Sequence, residues 1–420
     1  MQVSRRNFMK GGMATFTVSF LAPALMQKMA HAQAGGIDRN LVVIYLDGGA
    51  DGLSMVIPYT DPYYTLRRPT LSIPAAEVLQ IGTDASGKPL GLHPRLVGLR
   101  GIYEGGNLAI LQRVGYPNST RSHFHGLDVW STADLEGDAR FGWLGRYLDS
   151  LGPLDPLYAV NTAGTLPRTL LAPIYQPPSI PNVSAYSFRS ANGGSEGALE
   201  RTFAEAIGSH LPVERPHLAF AQRCMADALA TVDRVQTVGT YTASVPYPDT
   251  GFGRALQMVA GSIVKNVGTK LFFVRTGGFD THAQQQTRQG NFFNLMANLD
   301  DGITTFYQDL TNQGKIGETL IMEFSEFGRR VNENASGGTD HGAASNVLVL
   351  GGTVSGGLFG TAPDLTPAPD NPTLESRGND VRFETDFRAV YAAVADQWLK
   401  ADSTALLGGN YRNAKLTFLG

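Results

Sequence analysis

Short apolar runs alternate along this chain with longer stretches whose apolar residues recur every three or four positions. The clearest run is Leu41-Val42-Val43-Ile44-Tyr45-Leu46, apolar on both faces as a strand covered on two sides must be. Similar runs stand at 108–111, 271–274, 319–322 and 346–350. Between the third and fourth, Phe292, Met296, Leu299, Ile303, Phe306 and Leu310 fall on one face of a helix, best read as plain core. Helical patterns fill about 196–230 and 253–264, and an amphipathic helix over 386–399 closes the chain. Strand runs alternating with helical ones predict a layered α/β fold around a largely parallel sheet. Two Gly/Pro-rich stretches, near 57–92 and 351–377, break the alternation and are expected to be loop insertions or a small subdomain.

The first 32 residues follow a different pattern. Arg5, Arg6 and Lys10 precede an apolar stretch from Met13 to Met26, and Ala30-His31-Ala32 offers a small-x-small cleavage site. That is the layout of a removable secretory signal, with the paired arginines of the twin-arginine type, cleaved after Ala32 or Ala34. The apolar stretch is short and interrupted by Thr15, Thr17, Ser19 and Pro23, so no stable membrane insertion is expected after cleavage. The reading implies the twin-arginine translocase as a partner and a periplasmic or secreted destination for one domain over 33–420. Because that route carries folded, often cofactor-loaded proteins, a metal site is the first thing to look for.

Without the signal, 30 basic and 37 acidic side chains remain, a formal charge of −7. A mildly acidic surface argues against nucleic acid and anionic lipid as partners. The single cysteine, Cys224, excludes an intramolecular disulfide and falls in a helical stretch as a small packing residue.

Reactive side chains gather beside the strands. Asp47 follows the first, in Leu46-Asp47-Gly48-Gly49, and Ser122 lies a short loop beyond the second, in Arg121-Ser122-His123-Phe124-His125. Asp280 and His282 follow the third, Glu323 and Glu326 the fourth, while Asp340 and His341 precede the fifth. Open α/β sheets bind ligands in the crevice at the carboxyl ends of their strands, so these residues are expected to meet there. Singly, each has a structural reading: Asp47 as a turn or cap, Ser122 as an N-cap, Asp280 and Asp340 as loop residues. Together they say more. Five of the seven histidines beyond the signal (His93, His123, His125, His282 and His341) lie in Gly- or Pro-punctuated segments. Carboxylate plus imidazole without cysteine suits Zn²⁺, Mn²⁺ or Fe, with Mg²⁺ or Ca²⁺ suited to a carboxylate-rich half.

These segments resemble the bacterial family known as domain of unknown function 1501, and more widely the alkaline-phosphatase-like superfamily of sulfatases and cofactor-independent phosphoglycerate mutase. The resemblance runs from the paired arginines to the final helix. It rests on Leu46-Asp47-Gly48-Gly49, Arg121-Ser122-His123-Phe124, Gly278-Phe279-Asp280-Thr281-His282, Phe324-Ser325-Glu326-Phe327-Gly328-Arg329, Asp340-His341-Gly342 and Asp386-Phe387-Arg388. It implies an alkaline-phosphatase-like, three-layer α/β/α sandwich with a central, mostly parallel sheet. It also implies two divalent ions (Zn, Mn, Mg or Ca) held by Asp47, Asp280, His282, Glu326 and His341, with Ser122 as nucleophile. Arg121, or less directly Arg329, would grip a phosphoryl oxygen, and Glu323 would orient a ligand. Two departures stand out. Phe327 occupies the place of an expected imidazole, so His123, His125 or Asp340 would have to replace it, and Asp280 and His282 are closer in sequence than usual. The sulfatase formylglycine signature is absent, since Cys224 stands in Cys-Met-Ala-Asp-Ala.

The functional expectation is an exported metal-dependent hydrolase or transferase acting on small-molecule or polymer phosphate esters, by a two-metal, serine-nucleophile mechanism. Two alternatives remain open: a non-catalytic periplasmic binding or assembly protein that keeps the fold, and a hydrolase of sulfate or carbohydrate esters.

Overall fold

The computed structural model describes residues 38–152, 154–188, 194–209, 215–376 and 378–419. The expected signal, 1–32, lies outside them, as does the side chain of Cys224. No described helix is long and apolar enough to cross a membrane.

All five apolar runs are strands of one eight-stranded sheet. In chain order its strands are β1 (Asn40–Asp47), β2 (Leu108–Gly115), β3 (Ala159–Asn161), β4 (Leu271–Gly277), β5 (Thr319–Ser325), β6 (Ser345–Gly351), β7 (Gly357–Phe359) and β8 (Thr385–Asp386). Their spatial order is β7-β2-β6-β5-β1-β4-β3, with β8 also pairing β2. β6 runs antiparallel to both neighbours, and every other pairing in the sheet is parallel.

Alternation along β1 divides the core. Leu41, Val43 and Tyr45 face one cluster, which holds residues of α1 (His123–Thr132), α2 (Trp143–Ser150) and α5 (Phe387–Ala393). Val42, Ile44 and Leu46 face another, built with α3 (Gly251–Val264) and α4 (Asn291–Asn312). Helices therefore cover both faces, and β1 is apolar throughout because neither face meets water. All six residues of the expected stripe on α4 are buried. The closing helix was expected to continue to 399, but after Ala393 the backbone widens into a π-helical turn, Val394–Trp398. Part of the 57–92 stretch folds as a three-stranded antiparallel sheet of Val56–Ile57, Pro89–Leu92 and Leu79–Thr83.

The mixed pairing explains why the reactive residues share one edge. β1, β4 and β5 end together, with Asp47 opposite Gly277 and Leu46 opposite Ser325. β6 runs the other way, so its start lies where its neighbours finish, and a histidine before it joins carboxylates after them. Asp340-His341 is not a plain loop: Thr339–His341 pairs with Arg329–Glu333 in a two-stranded ribbon that sets His341 opposite Arg329.

Glu323 does not reach this edge. Its strand neighbours Ile44 and Leu348 belong to the α3/α4 face, its Oε2 makes no hydrogen bond, and burial pushes its carboxyl up to about 8. The folded chain then holds a proton that the unfolded chain releases near 4.5, so stability falls as pH rises from there to about 8. Glu323→Gln removes that dependence. The unfolding free energy of the variant should gain on the wild type from pH 5 to 8 and then run parallel, a difference on the order of a few kcal/mol. A constant gap across that range would contradict the assignment.

Candidate metal centre

The loop after β1 turns through two glycines that no other residue could replace. Gly48 has φ +123°, and a Cβ there would lie 2.4 Å from the backbone nitrogen of Asp280; Gly49 has φ +69°, and a Cβ would lie 2.3 Å from the ring of Phe327. This close approach brings the loops after β1, β4 and β5 against one another.

Asp280 is the hub. Its Oδ1 lies 3.1 Å from His341 Nε2, 3.2 Å from His282 Nε2 and 3.4 Å from His123 Nε2. His282 Nε2 and His341 Nε2 are themselves 2.8 Å apart. Asp280 and His282 reach the same place through a tight turn in which the Thr281 N–H bonds to the Phe279 carbonyl at 2.8 Å, while the buried Thr281 side chain donates to Gln285 Oε1 at 3.0 Å. Burial pushes the Asp280 carboxyl up, but the hydrogen bond from Arg329, the contact with His341 and the neighbouring positive charge bring it down to about 2. It is an anion at any working pH.

Each imidazole is turned by a partner on its other nitrogen. His123 Nδ1 lies 2.6 Å from Glu326 Oε1, His341 Nδ1 lies 2.8 Å from the carbonyl of Arg121, and His282 Nδ1 lies 3.5 Å from Asp340 Oδ1. A partner on Nδ1 leaves Nε2 with its lone pair aimed at the cluster, as metal-bound histidines require. The hydrogen bond to Glu326 raises the basicity of His123, whereas burial lowers that of His341 and favours its neutral form. Phe327, buried, forms the floor, with its ring centre 4.9 Å from that of His123 and 4.8 Å from that of His341.

His123, Asp280 and His341 could hold a metal ion, since each offers a ligand atom within 4.8 Å of the others. His123 Nε2 is buried and has no hydrogen-bond partner, an atom left with a lone pair and nothing to receive it. A tetrahedral ion with bonds of about 2.0–2.1 Å has ligand atoms about 3.3 Å apart, close to the spacings around Asp280. Their N₂O set, with His282 Nε2 beside it at 2.8 Å from His341 Nε2, suits Zn²⁺, Mn²⁺ or Fe²⁺.

Several expected roles change. Glu326 stands behind His123: Oε1 accepts from His123 and, at 3.1 Å, from the Gly48 N–H, and Oε2 accepts from Ser325 Oγ at 2.9 Å. It orients His123 instead. Asp47 is not in the cluster, because Arg275 pairs with its Oδ2 and the Tyr45 hydroxyl donates to Oδ1 at 3.2 Å. The Arg121 guanidinium is paired with buried Asp380 and bonded to Ser376 Oγ, so what it offers the site is its carbonyl. That carbonyl is aimed by an uncommon left-handed backbone, φ +56°. His123, one of three named substitutes for the imidazole missing at Phe327, is the one that arrives. His125 lies against the turn at Gly137, and Asp340 stays behind His282. His93 is a core residue held between Thr287 O and the Arg95 N–H, its basicity lowered to about 4 by burial. Ser122 is where the sequence put it, at the start of α1, but its hydroxyl makes no capping hydrogen bond.

Sequence reading missed the role of Arg329. Its buried guanidinium donates to Asp280 Oδ1 at 2.6 Å, to the carbonyls of Gly49 at 2.6 Å, Thr339 at 2.8 Å and Phe279 at 3.2 Å, and to that of Gly48. An arginine so occupied is not free to grip a substrate.

With this geometry in view, residues 219–402 match the family model described as protein of unknown function (DUF1501). The DUF1501 segment carries Asp280, His282, Glu326, Arg329 and His341, while Asp47, Ser122 and His123 precede it. No curated protein matches the chain. Among solved structures, the chain overlaps the Zn-bound C-terminal periplasmic domain of EptC from Escherichia coli at 8% identity and TM-score 0.34, over 76% of this chain and 75% of that one. It overlaps lipoteichoic acid synthase LtaP from Listeria monocytogenes at 10% identity and TM-score 0.30, over 84% and 76%. A Mg-bound mutant of alkaline phosphatase from the Antarctic bacterium TAB5 gives 13% identity and TM-score 0.31, over 76% and 92%. Superpositions this loose establish neither a shared fold nor a shared chemistry.

Proposed function

We propose that this chain is an exported, metal-dependent hydrolase or transferase of phosphate esters with Ser122 as its nucleophile. The observation that carries the reading is the position of Ser122. It heads a ten-residue helix with its hydroxyl uncommitted to a cap, between Arg121, whose carbonyl turns His341, and His123, a member of the cluster. His123, Asp280, His282 and His341 would hold the ion, which when bound supplies Lewis-acid charge to a phosphoryl oxygen and to the attacking hydroxyl. The backbone N–H groups at the start of α1 offer the anion further donors. Attack of Ser122 Oγ on phosphorus would release the alcohol, and water or a second alcohol would then displace the serine. Phe124, next on the helix, is 87% exposed and gives an apolar part of a substrate a surface beside the site. Export by the twin-arginine translocase and a periplasmic or secreted location rest on the 1–32 segment. The resemblance to the alkaline-phosphatase-like superfamily and the missing formylglycine signature favour phosphate over sulfate.

A second reading, a binding or assembly protein without turnover, is favoured by the commitment of Asp47 to Arg275 and of Arg121 to Asp380. A screen of the exported protein on aryl phosphates, phosphodiesters and aryl sulfates, with Zn²⁺, Mn²⁺, Mg²⁺ and Ca²⁺, separates the readings. Turnover of a phosphate ester that vanishes in Ser122→Ala, with metal content unchanged, is expected. Turnover that survives in Ser122→Ala removes the serine from its role, and no turnover on any ester favours the second reading.

A further inference from the structure

We propose that the centre is mononuclear: it takes one divalent cation, and the guanidinium of Arg329 stands where a second ion would otherwise balance Asp280. The proposal rests on the reading that the histidine cluster holds a metal, and goes beyond it in number and charge.

The shared atom is Asp280 Oδ1. On one side it meets three imidazole nitrogens, and on the other it accepts from Arg329 Nη2 at 2.6 Å. A guanidinium stays protonated at every accessible pH, so this second charge is permanent. Nor can an incoming ion readily displace it. Arg329 is 2% exposed and also serves the carbonyls of Gly48, Gly49, Phe279 and Thr339, which would be left buried and unpaired.

A second ion would also need ligands of its own, and the carboxylates nearby are already engaged: Asp340 accepts from Asn334 at 3.0 Å and pairs with Arg330 at 3.7 Å. Asp47 is paired with Arg275, and both oxygens of Glu326 accept hydrogen bonds from fixed donors. The side chain after Glu326, Phe327, fills the adjoining space with a buried ring that cannot coordinate. Four carboxylates (Asp47, Asp280, Glu326 and Asp340) against three guanidiniums (Arg275, Arg329 and Arg330) and one dication leave the centre weakly positive, suited to an anionic substrate. Two dications would leave it strongly so, with no carboxylate free to offset the second.

The test is metal content of the exported protein, measured by plasma mass spectrometry after dialysis against excess Zn²⁺ and, separately, Mn²⁺, followed by gel filtration. One equivalent per chain is expected in the wild type and in Asp47→Asn, whose partner Arg275 is half exposed so that the fold tolerates the change. The same equivalent should disappear in His341→Ala. Two equivalents in the wild type, the second lost in Asp47→Asn, would overturn the proposal while leaving a metal centre standing. No metal in the wild type would overturn the proposal together with the metal reading. One equivalent without hydrolysis of any phosphate ester would support the proposal and remove only the enzymatic role.

Discussion

Asp280→Asn should leave a folded protein that has lost its ion and its turnover. The amide keeps an oxygen that can accept from Arg329, and that arginine keeps four carbonyl acceptors, so the loops retain their packing. What disappears is the negative charge at the atom on which three imidazoles converge. Changing a partner behind a ligand typically costs about 10–100-fold in metal affinity, and losing the ligand itself should cost at least about 100-fold. Titration calorimetry with Zn²⁺ gives the affinity, and an aryl phosphate gives the rate. Stability should drop as well, since Arg329 loses its ion-pair partner in a buried setting. Affinity within a few-fold of the wild type would show that the cluster is held together for another purpose.

Arg68→Met should be among the most destabilising single changes in the chain. Arg68 and Asp51 are both fully buried, with Arg68 Nη1 donating to Asp51 Oδ2 at 2.6 Å and Nη2 to Oδ1 at 3.0 Å. Removing one member strands the other charge, at a cost of about 3–5 kcal/mol. The damage should also reach the metal centre. Gln285 donates to Asp51 at 2.6 Å and accepts from Thr281 and Thr339, so one amide ties the loops bearing Gly48–Asp51, Asp280–His282 and Thr339–His341. Urea denaturation should recover much of the loss in Asp51→Asn/Arg68→Met, where no bare charge remains. A single variant within about 1 kcal/mol of the wild type would deny the pair this role.

Arg68 also shows where sequence reading divides. Tyr59, Tyr63, Tyr64, Arg67 and Arg68 could be read as a sugar or phosphate cleft or as packing, and packing it is. Tyr64 is buried, Tyr59 and Tyr63 lie against the same small core, and Arg67 is bonded to Leu365 O and Asn332. The strands were legible because burial on both faces leaves runs such as Leu41–Leu46 with no polar position. The meeting of Asp280, His282 and His341 was legible too, because reactive residues at strand ends have few other reasons to cluster. Strand direction was not: nothing in Ser345–Gly351 distinguishes an antiparallel strand, although that reversal brings His341 to the shared edge.

The site changed most where a side chain's role depends on its partner. Asp47 and Glu326 look like ligands in sequence, but the side chains they pair with, Arg275 and His123, come from hundreds of positions away. A hint existed for His123. With Phe327 in an imidazole's place the site lacked a nitrogen, and His123 lies next to the candidate nucleophile. The motif that ends at Arg329 marks the residue but not its role, since its partners are backbone carbonyls and a carboxylate supplied by three loops.

The account stands on four atoms: His123 Nε2, Asp280 Oδ1, His282 Nε2 and His341 Nε2. Anomalous diffraction at the zinc and manganese edges, from crystals grown with each ion, addresses them most directly. One peak about 2 Å from His123 Nε2, Asp280 Oδ1 and His341 Nε2, with His282 beside it, is the predicted result. A peak beside Asp47 and Glu326, or none at the cluster under saturating metal, would contradict it.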